Sequence, residues 1–392
     1  MSVFKLPANF CQELRSLVSR FWWGAENGRR KISWIAWRKL CEPKGRGGLG
    51  FRDYRHFNSA LLGKQTWRLT TNEDCLMSRI LKGKYFPDGS FLEAEVGSNP
   101  SYTWRSIWGA CEVLNLGIRK RIENGLSTRI WSDPWVPGTQ SRRIISPNNG
   151  VPETLVSELL DDVEGGWNVA KVRSLFLPFE QERVLNIRIS ESRPNDIWCW
   201  DPERNGIYSV RSAYRVLRDE NSGGIEASDN SEDKWLWNQV WAMPVLPRIK
   251  VFFWQLCNES IPTKKNLASR LSTMDTLCPM CHTQEESCIH LLRGCGWAGR
   301  VWEGLGVDVL EEIGFEGVRE WVEVVMREMG QRERACFVVG CWAIWERRNK
   351  VVFDNGRVRA DEVITRVEDI LREMRAEGED VAREKEREEV VK

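Results

Sequence analysis

Residues 277–295 read Leu-Cys-Pro-Met-Cys-His-Thr-Gln-Glu-Glu-Ser-Cys-Ile-His-Leu-Leu-Arg-Gly-Cys, which places four soft or borderline metal donors, Cys278, Cys281, His290 and Cys295, within eighteen positions. The two residues between Cys278 and Cys281 make a tight knuckle that presents both thiolates to one tetrahedral ion, and zinc accepts three thiolates with one imidazole. The second pair needs a geometric argument. Five residues of continuous α-helix turn through about 500°, which would put His290 and Cys295 on different faces. A left-handed Gly294 ending that helix would swing Cys295 back toward the metal. A rival set is all-thiolate: Cys288 and Cys295 are seven apart and share a helical face, whereas Cys288 and His290, two apart, cannot easily both face one ion. His282 follows the knuckle directly and reads as an exposed or hydrogen-bonding neighbour of the ligands. Four Cys/His ligands leave no open coordination position, so the expected cofactor is one structural Zn2+ and not a catalytic one.

Outward from this cluster the pattern is mostly helical. Upstream, IYSVRSAYRVLR from Ile207 reads as a helix that Ser209 or Ser212 could cap. An acidic Gly/Ser-rich insert, ENSGGIEASDNSED, reads as a flexible surface loop. Trp235–Val240 and Val251–Cys257 form an aromatic core segment, followed by a helix over Lys264–Leu271. Nearer the start, Ala8–Trp23 is a helix, and Asn58–Tyr85 reads as two short amphipathic helices broken by Thr70-Thr71-Asn72-Glu73-Asp74. Thr128–Trp131 alternates like a strand closed by Asp133-Pro134. Asp361–Lys392 should be one long charged helix with a narrow apolar stripe, Ile364, Val367, Leu371 and Met374, in its first half. That helix reads as solvated, with a partner-binding face as the alternative. The fold class expected is mainly α with small α+β patches. It is multi-module, divided as 1–135 basic and Trp-rich, 136–205 linker, 206–300 zinc module, 301–360 helical, and 361–392 charged tail.

Composition narrows the function. Among 392 residues there are 21 Trp but only 5 Tyr and 3 His, and Trp in such numbers belongs to cores. Twelve Cys would suit a disulfide scaffold, but the N-terminus lacks a secretory signal, so the compartment expected is reducing, nuclear or cytoplasmic. Cys11, Cys41, Cys75, Cys111, Cys199 and Cys257 then read as small buried hydrophobes. The longest apolar run, Ala335–Trp345, is about half of what a membrane-spanning helix requires. The net charge of +1 hides +10 over residues 1–140, −2 over 141–300 and −7 over 301–392. Basic residues mixed with rings, Arg29, Arg30, Lys31, Trp34, Arg38 and Lys39, suit phosphate contacts beside a stacking platform, although a solvated basic face over a Trp-rich core accounts for them equally well. The glycines of Lys44–Gly50 signal a loop that has neither P-loop nor dinucleotide spacing.

The ordered words YSVRSAY, WLWNQVW, LPRIKVFFWQL, IPTKKNL, LCPMC and ESCIHLLRGC resemble the reverse transcriptase zinc-binding domain of plant non-LTR, LINE-type retrotransposon polyproteins, over about 206–300. FWWGAENGRRKISWIAWRKLCEPKGRGGLGFRDYRHFNSALLGKQTWRL upstream is similar to the segment after the polymerase core in those polyproteins, and WAIWERRNKVVFD to the stretch before an RNase H domain. The resemblance implies Cys278, Cys281, His290 and Cys295 as ligands, and RNA, single-stranded DNA or an RNA–DNA hybrid as partners. Polymerase chemistry needs an aromatic-x-Asp-Asp turn to hold two metal ions, and the only adjacent pair, Asp161-Asp162, follows Leu159-Leu160 in a region unlike a palm domain. Neither polymerase nor RNase H activity is therefore expected. Binding is the class anticipated, with a non-functional relic or a protein-interaction scaffold as the other readings.

Overall fold

The computed structural model describes residues 1–26, 29–139, 141–148, 150, 152–161, 166–221, 231–271, 275–310, 314–354, 356 and 359–390, without the side chains of 25, 26, 29, 30, 221, 231–233 and 377–390. The expected loop at 220–233 falls largely outside these residues. In chain order the helices are α1 (Ala8–Trp23), α2 (Trp37–Cys41), α3 (Tyr54–Thr71), α4 (Leu76–Tyr85), α5 (Tyr102–Trp108), α6 (Cys111–Asn115), α7 (Val169–Leu175) and α8 (Pro178–Leu185). They continue as α9 (Val210–Asn221), α10 (Ser231–Ala242), α11 (Pro247–Cys257), α12 (Lys264–Ala268), α13 (Gly296–Leu305), α14 (Val318–Glu328), α15 (Gln331–Asp354) and α16 (Ala360–Val390). Four short strands, β1 (Ala25–Glu26), β2 (Arg29–Arg30), β3 (Ile118–Arg121) and β4 (Ile197–Trp200), make two antiparallel pairs, β1 with β2 and β3 with β4. The fold is mainly α with small β patches, and its residues gather into two compact units, Met1–Val18 with Arg52–Ala227, and Ser19–Phe51 with Ser228–Lys392. Each unit draws on several of the five segments that the sequence suggests.

In the first unit α3 is the central element. Asp53 caps it by accepting the N–H groups of Arg55 and His56, which satisfies donors that a helix start leaves open. Helix α9 packs on it because Gly63 makes room: a Cβ there would lie 2.3 Å from the Tyr208 hydroxyl, which donates to the Ala60 carbonyl at 2.8 Å. Ser209 caps α9 by accepting from the N–H of Ser212. The strand expected at Thr128–Trp131 is reduced to a single bridge between Arg129 and Leu155. Carboxylates take the backbone donors that a ladder would use, since Asp196 accepts from Glu123, Gly125 and Ser127 N–H, and Asp133 from Arg129 N–H.

The second unit has one large core. Phe337 of α15 lies edge-on to Phe253 and Trp321 at 6.0 and 5.2 Å and tilted against Trp302 at 5.6 Å. Close helix approach is bought with glycine: a Cβ at Gly340 would lie 2.5 Å from the Trp302 ring, and one at Gly304 would lie 2.3 Å from Ile364. The segment 19–51 belongs to this core through Trp22, Trp23, Trp34, Trp37, Leu49 and Phe51. Gly47, at φ 77°, lies against Trp237, and its carbonyl accepts from the Trp254 indole at 2.8 Å.

One expectation changes here. The stripe of α16 is not a solvated face, because Val363, Val367 and Ile370 are buried and Ile364, Leu371 and Met374 pack beside them in the same core. The run Ala335–Trp345 is the buried middle of α15, and no helix among the described residues is long and apolar enough to cross a membrane.

Candidate metal centre

The knuckle is shaped by its own backbone. Cys278 N–H donates to Gln284 O at 2.8 Å, His282 N–H to Cys278 O at 2.9 Å, and Glu286 N–H to Thr276 O at 2.7 Å. His282 closes the turn in a left-handed conformation, φ 57°, with its side chain exposed. The chain then enters a helical segment that widens to a π turn over His290–Gly294, after which Cys295 is extended and starts α13. Gly294 is therefore not left-handed. The π turn resolves the facing problem in another way, since an i→i+5 turn brings residues five apart roughly onto one side, and such turns recur at functional sites. The Trp302 indole donates to the carbonyl of Leu292 within that turn at 2.6 Å.

The outcome is a cluster in which one donor atom from each of Cys278, Cys281, His290 and Cys295 lies within 4.8 Å of the others. Zn–S bonds of about 2.3 Å set a tetrahedral edge near 3.8 Å, so the donors stand within about an ångström of a closed site. Cys278, His290 and Cys295 are buried and Cys281 half-buried. His290 Nε2 faces Cys281 Sγ at 3.3 Å. Backbone N–H groups also face the sulfurs: Met280 and Cys281 toward Cys278, Thr283 and Gln284 toward Cys281, and Trp297 and Ala298 toward Cys295. Such dipoles favour thiolate, the form that binds metal.

Hydrogen bonds among these groups pull their proton affinities apart. A hydrogen bond to Cys295, with burial, pushes Cys278 up to about 12, and the same bond lowers Cys295. His290 is raised chiefly by its hydrogen bond with Cys278, against the effect of burial. At Cys281 burial raises the thiol, but the Thr283 hydroxyl at 3.1 Å and the backbone dipoles outweigh it and the net shift is downward. The donor set and its spacing fit zinc, which would be held by these four side chains and would cross-link the knuckle to the start of α13.

Cys288 stands outside the cluster. It is buried, burial pushes its thiol up to about 12, and the Asn266 amide lies 3.7 Å from its sulfur. One feature of the centre went unread in the sequence: Glu286, fully buried, holds the Arg348 guanidinium of α15 through bonds of 2.5 and 2.6 Å and accepts the N–H of Lys264 at 2.6 Å. No local signal announces a pair 62 positions apart.

The basic residues near the start are placed differently from one another. Arg29 and Arg30 form β2, their side chains lying outside the described ones. Lys31 and Arg38 are exposed, Lys39 donates to the Arg46 carbonyl at 3.1 Å, and Trp34 packs against the core of the second unit.

Residues 208–302 match a family model described as zinc-binding in reverse transcriptase. The chain is 46% identical over 137 residues to an Arabidopsis thaliana protein named "Uncharacterized mitochondrial protein", an alignment covering 35% of this chain and 89% of that one. It is 30% identical over 321 residues to a "Putative ribonuclease H protein" of the same plant, covering 77% of this chain and 48% of the relative, so it spans about half of that protein's length.

Proposed function

The chain belongs to the plant reverse-transcriptase zinc-binding family, and from that premise we propose that it is a non-catalytic protein that holds one structural zinc ion and binds single-stranded or hybrid nucleic acid. The observation that carries the reading is the buried cluster of Cys278, Cys281, His290 and Cys295. A four-ligand site of this kind leaves no position for a substrate or a water, which is the signature of a structural ion.

The carboxylates support a non-catalytic reading. Asp196 accepts three backbone N–H groups and the Thr128 hydroxyl, Asp201 pairs with Arg119 and Arg142, Glu180 accepts the N–H groups of Ile145 and Ser146, and Glu286 holds Arg348. Each is committed to holding backbone or a cation in place. Among the described residues, the Cys/His cluster is the one grouping of three or more His, Cys, Asp or Glu donors placed to hold a metal. The basic balance of residues 1–140 supplies the attraction for phosphate.

Two measurements test the reading together. Elemental analysis of the reduced, folded protein should give about one equivalent of zinc, lost in each of Cys278→Ser, Cys281→Ser and Cys295→Ser. The same sample should retard single-stranded oligonucleotides of any sequence, with an affinity that falls as salt rises. A folded sample without zinc, or one that leaves single strands free at low salt, overturns it.

A further inference from the structure

In the second unit two lysines from different elements meet at one residue. Lys44, on the loop after α2, lies over the Trp241 ring at 4.8 Å, and Lys250, in the first turn of α11, donates to the Trp241 carbonyl at 2.9 Å. The two ammonium groups thus flank one residue. Among the described residues neither has a carboxylate within ion-pair distance, and Lys250 is lowered by burial and by the charge of Lys44. Two cations brought this close repel each other, a cost that bulk water reduces but the half-buried position of Lys250 does not remove.

The loop that carries Lys44 is fixed and cannot relax this repulsion easily. Gly47 is left-handed and sits against Trp237, its carbonyl is tied to the Trp254 indole, and a Cβ at Gly48 would lie 2.0 Å from the Glu42 carbonyl. Lys39 adds a bond from its ammonium to the Arg46 carbonyl. Lys44 itself is exposed, so the pair is open to a ligand. A rigid backbone that presents one ammonium group over the Trp241 ring and a second at the carbonyl of the same residue is preorganised for an oxyanion that both can reach.

We propose that Lys44 and Lys250, flanking Trp241, form a phosphate site that takes a backbone phosphodiester of single-stranded nucleic acid. The proposal rests on the nucleic-acid reading above and moves its anchor from the Arg29–Lys39 stretch to a pair whose geometry is built by the core. Lysine suits a single phosphate as a point charge, and each phosphate it neutralises releases a counterion.

The test is the binding of a labelled oligothymidylate to the full zinc-loaded chain, titrated across salt, for the wild type and for Lys44→Gln, Lys250→Gln and the double variant. The double substitution, which removes the one bridged phosphate, should flatten the log–log salt slope by about 0.7, and each single substitution by no more than that. Melting should change little, because the repulsion removed offsets the ring contact and the hydrogen bond lost. That combination separates a binding role from a structural one. A wild type that binds while the double variant keeps the full slope overturns this site and leaves the nucleic-acid reading standing. A wild type that binds no single strand overturns both. At matched ionic strength inorganic phosphate should displace more oligonucleotide than chloride does from the wild type and no more than chloride from the double variant, and a phosphate effect that is the same in both proteins would overturn the proposal.

Discussion

His290 is the proposed ligand whose identity the local sequence leaves most open, and cobalt substitution reads it directly. The wild type should give the ligand-field and charge-transfer bands of three thiolates with one nitrogen. His290→Ala should lose far more metal affinity than Cys288→Ala, because Cys288 Sγ lies outside the donor cluster. Bands of four thiolates would transfer the role to Cys288. Gly294 gives a second residue-scale expectation. Its φ is not left-handed, and an added methyl would meet His290 Nδ1 at 3.4 Å, an ordinary contact. Gly294→Ala should therefore retain zinc and shift stability by less than about 1 kcal/mol. Had Gly294 been the left-handed hinge, the same change would be strained. The Glu286–Arg348 pair sets a larger scale. Arg348→Met leaves a fully buried carboxylate without its cation and should cost about 3–5 kcal/mol in chemical denaturation, whereas replacing both partners by apolar residues should restore much of it. Cys278 and Cys281 were legible because two intervening residues fix their geometry, while Glu286 and Arg348 were not because only the assembled core joins them.

At the scale of elements, the helices of strong period were readable and the irregular pieces were not. Residues 58–85 divide into α3 and α4 as the break at Thr70–Asp74 suggests. The turn from His290 to Gly294 escaped, since a π turn has no periodic signature distinct from an α-helix of the same composition. The real strands escaped too: β3 reads Ile-Arg-Lys-Arg and β4 reads Ile-Trp-Cys-Trp, too short to show alternation, and their partners lie far apart in sequence. For α16 the stripe was visible but its partner was not, because nothing in 360–376 indicates that α13 and α15 await it. Ile370→Ala tests the packing. A solvated residue would change stability by no more than about 0.5 kcal/mol, whereas Ile370, 1% exposed in the shared core, should cost about 2–5 kcal/mol in the same denaturation experiment.

The whole molecule decides whether the zinc region can stand alone. The family match covers 208–302, but α9 within that span packs on α3 in the first unit, and the remainder shares its core with 19–51 and with α14, α15 and α16. A fragment of residues 208–302 would leave Trp302 and Phe253 without Phe337 and Trp321, Trp254 without the Gly47 carbonyl, and Glu286 without Arg348. Exposed aromatic surface and an unpaired buried carboxylate each cost several kcal/mol, which exceeds what a small domain has to spare. The fragment should still take up metal through its four donors, but it should melt without a cooperative transition and be cut rapidly by protease. Gly47→Val in the full chain should show the same dependence from the other side. It forces a β-branched residue into φ 77° against the Trp237 ring, at a cost of about 2–5 kcal/mol, and should lower the melting of the second unit although it lies more than 200 positions from the knuckle. A sharp transition in the isolated fragment, with zinc affinity equal to that of the full chain, would show that the zinc region is an autonomous module and that the contacts of 19–51 and α15 are dispensable to it.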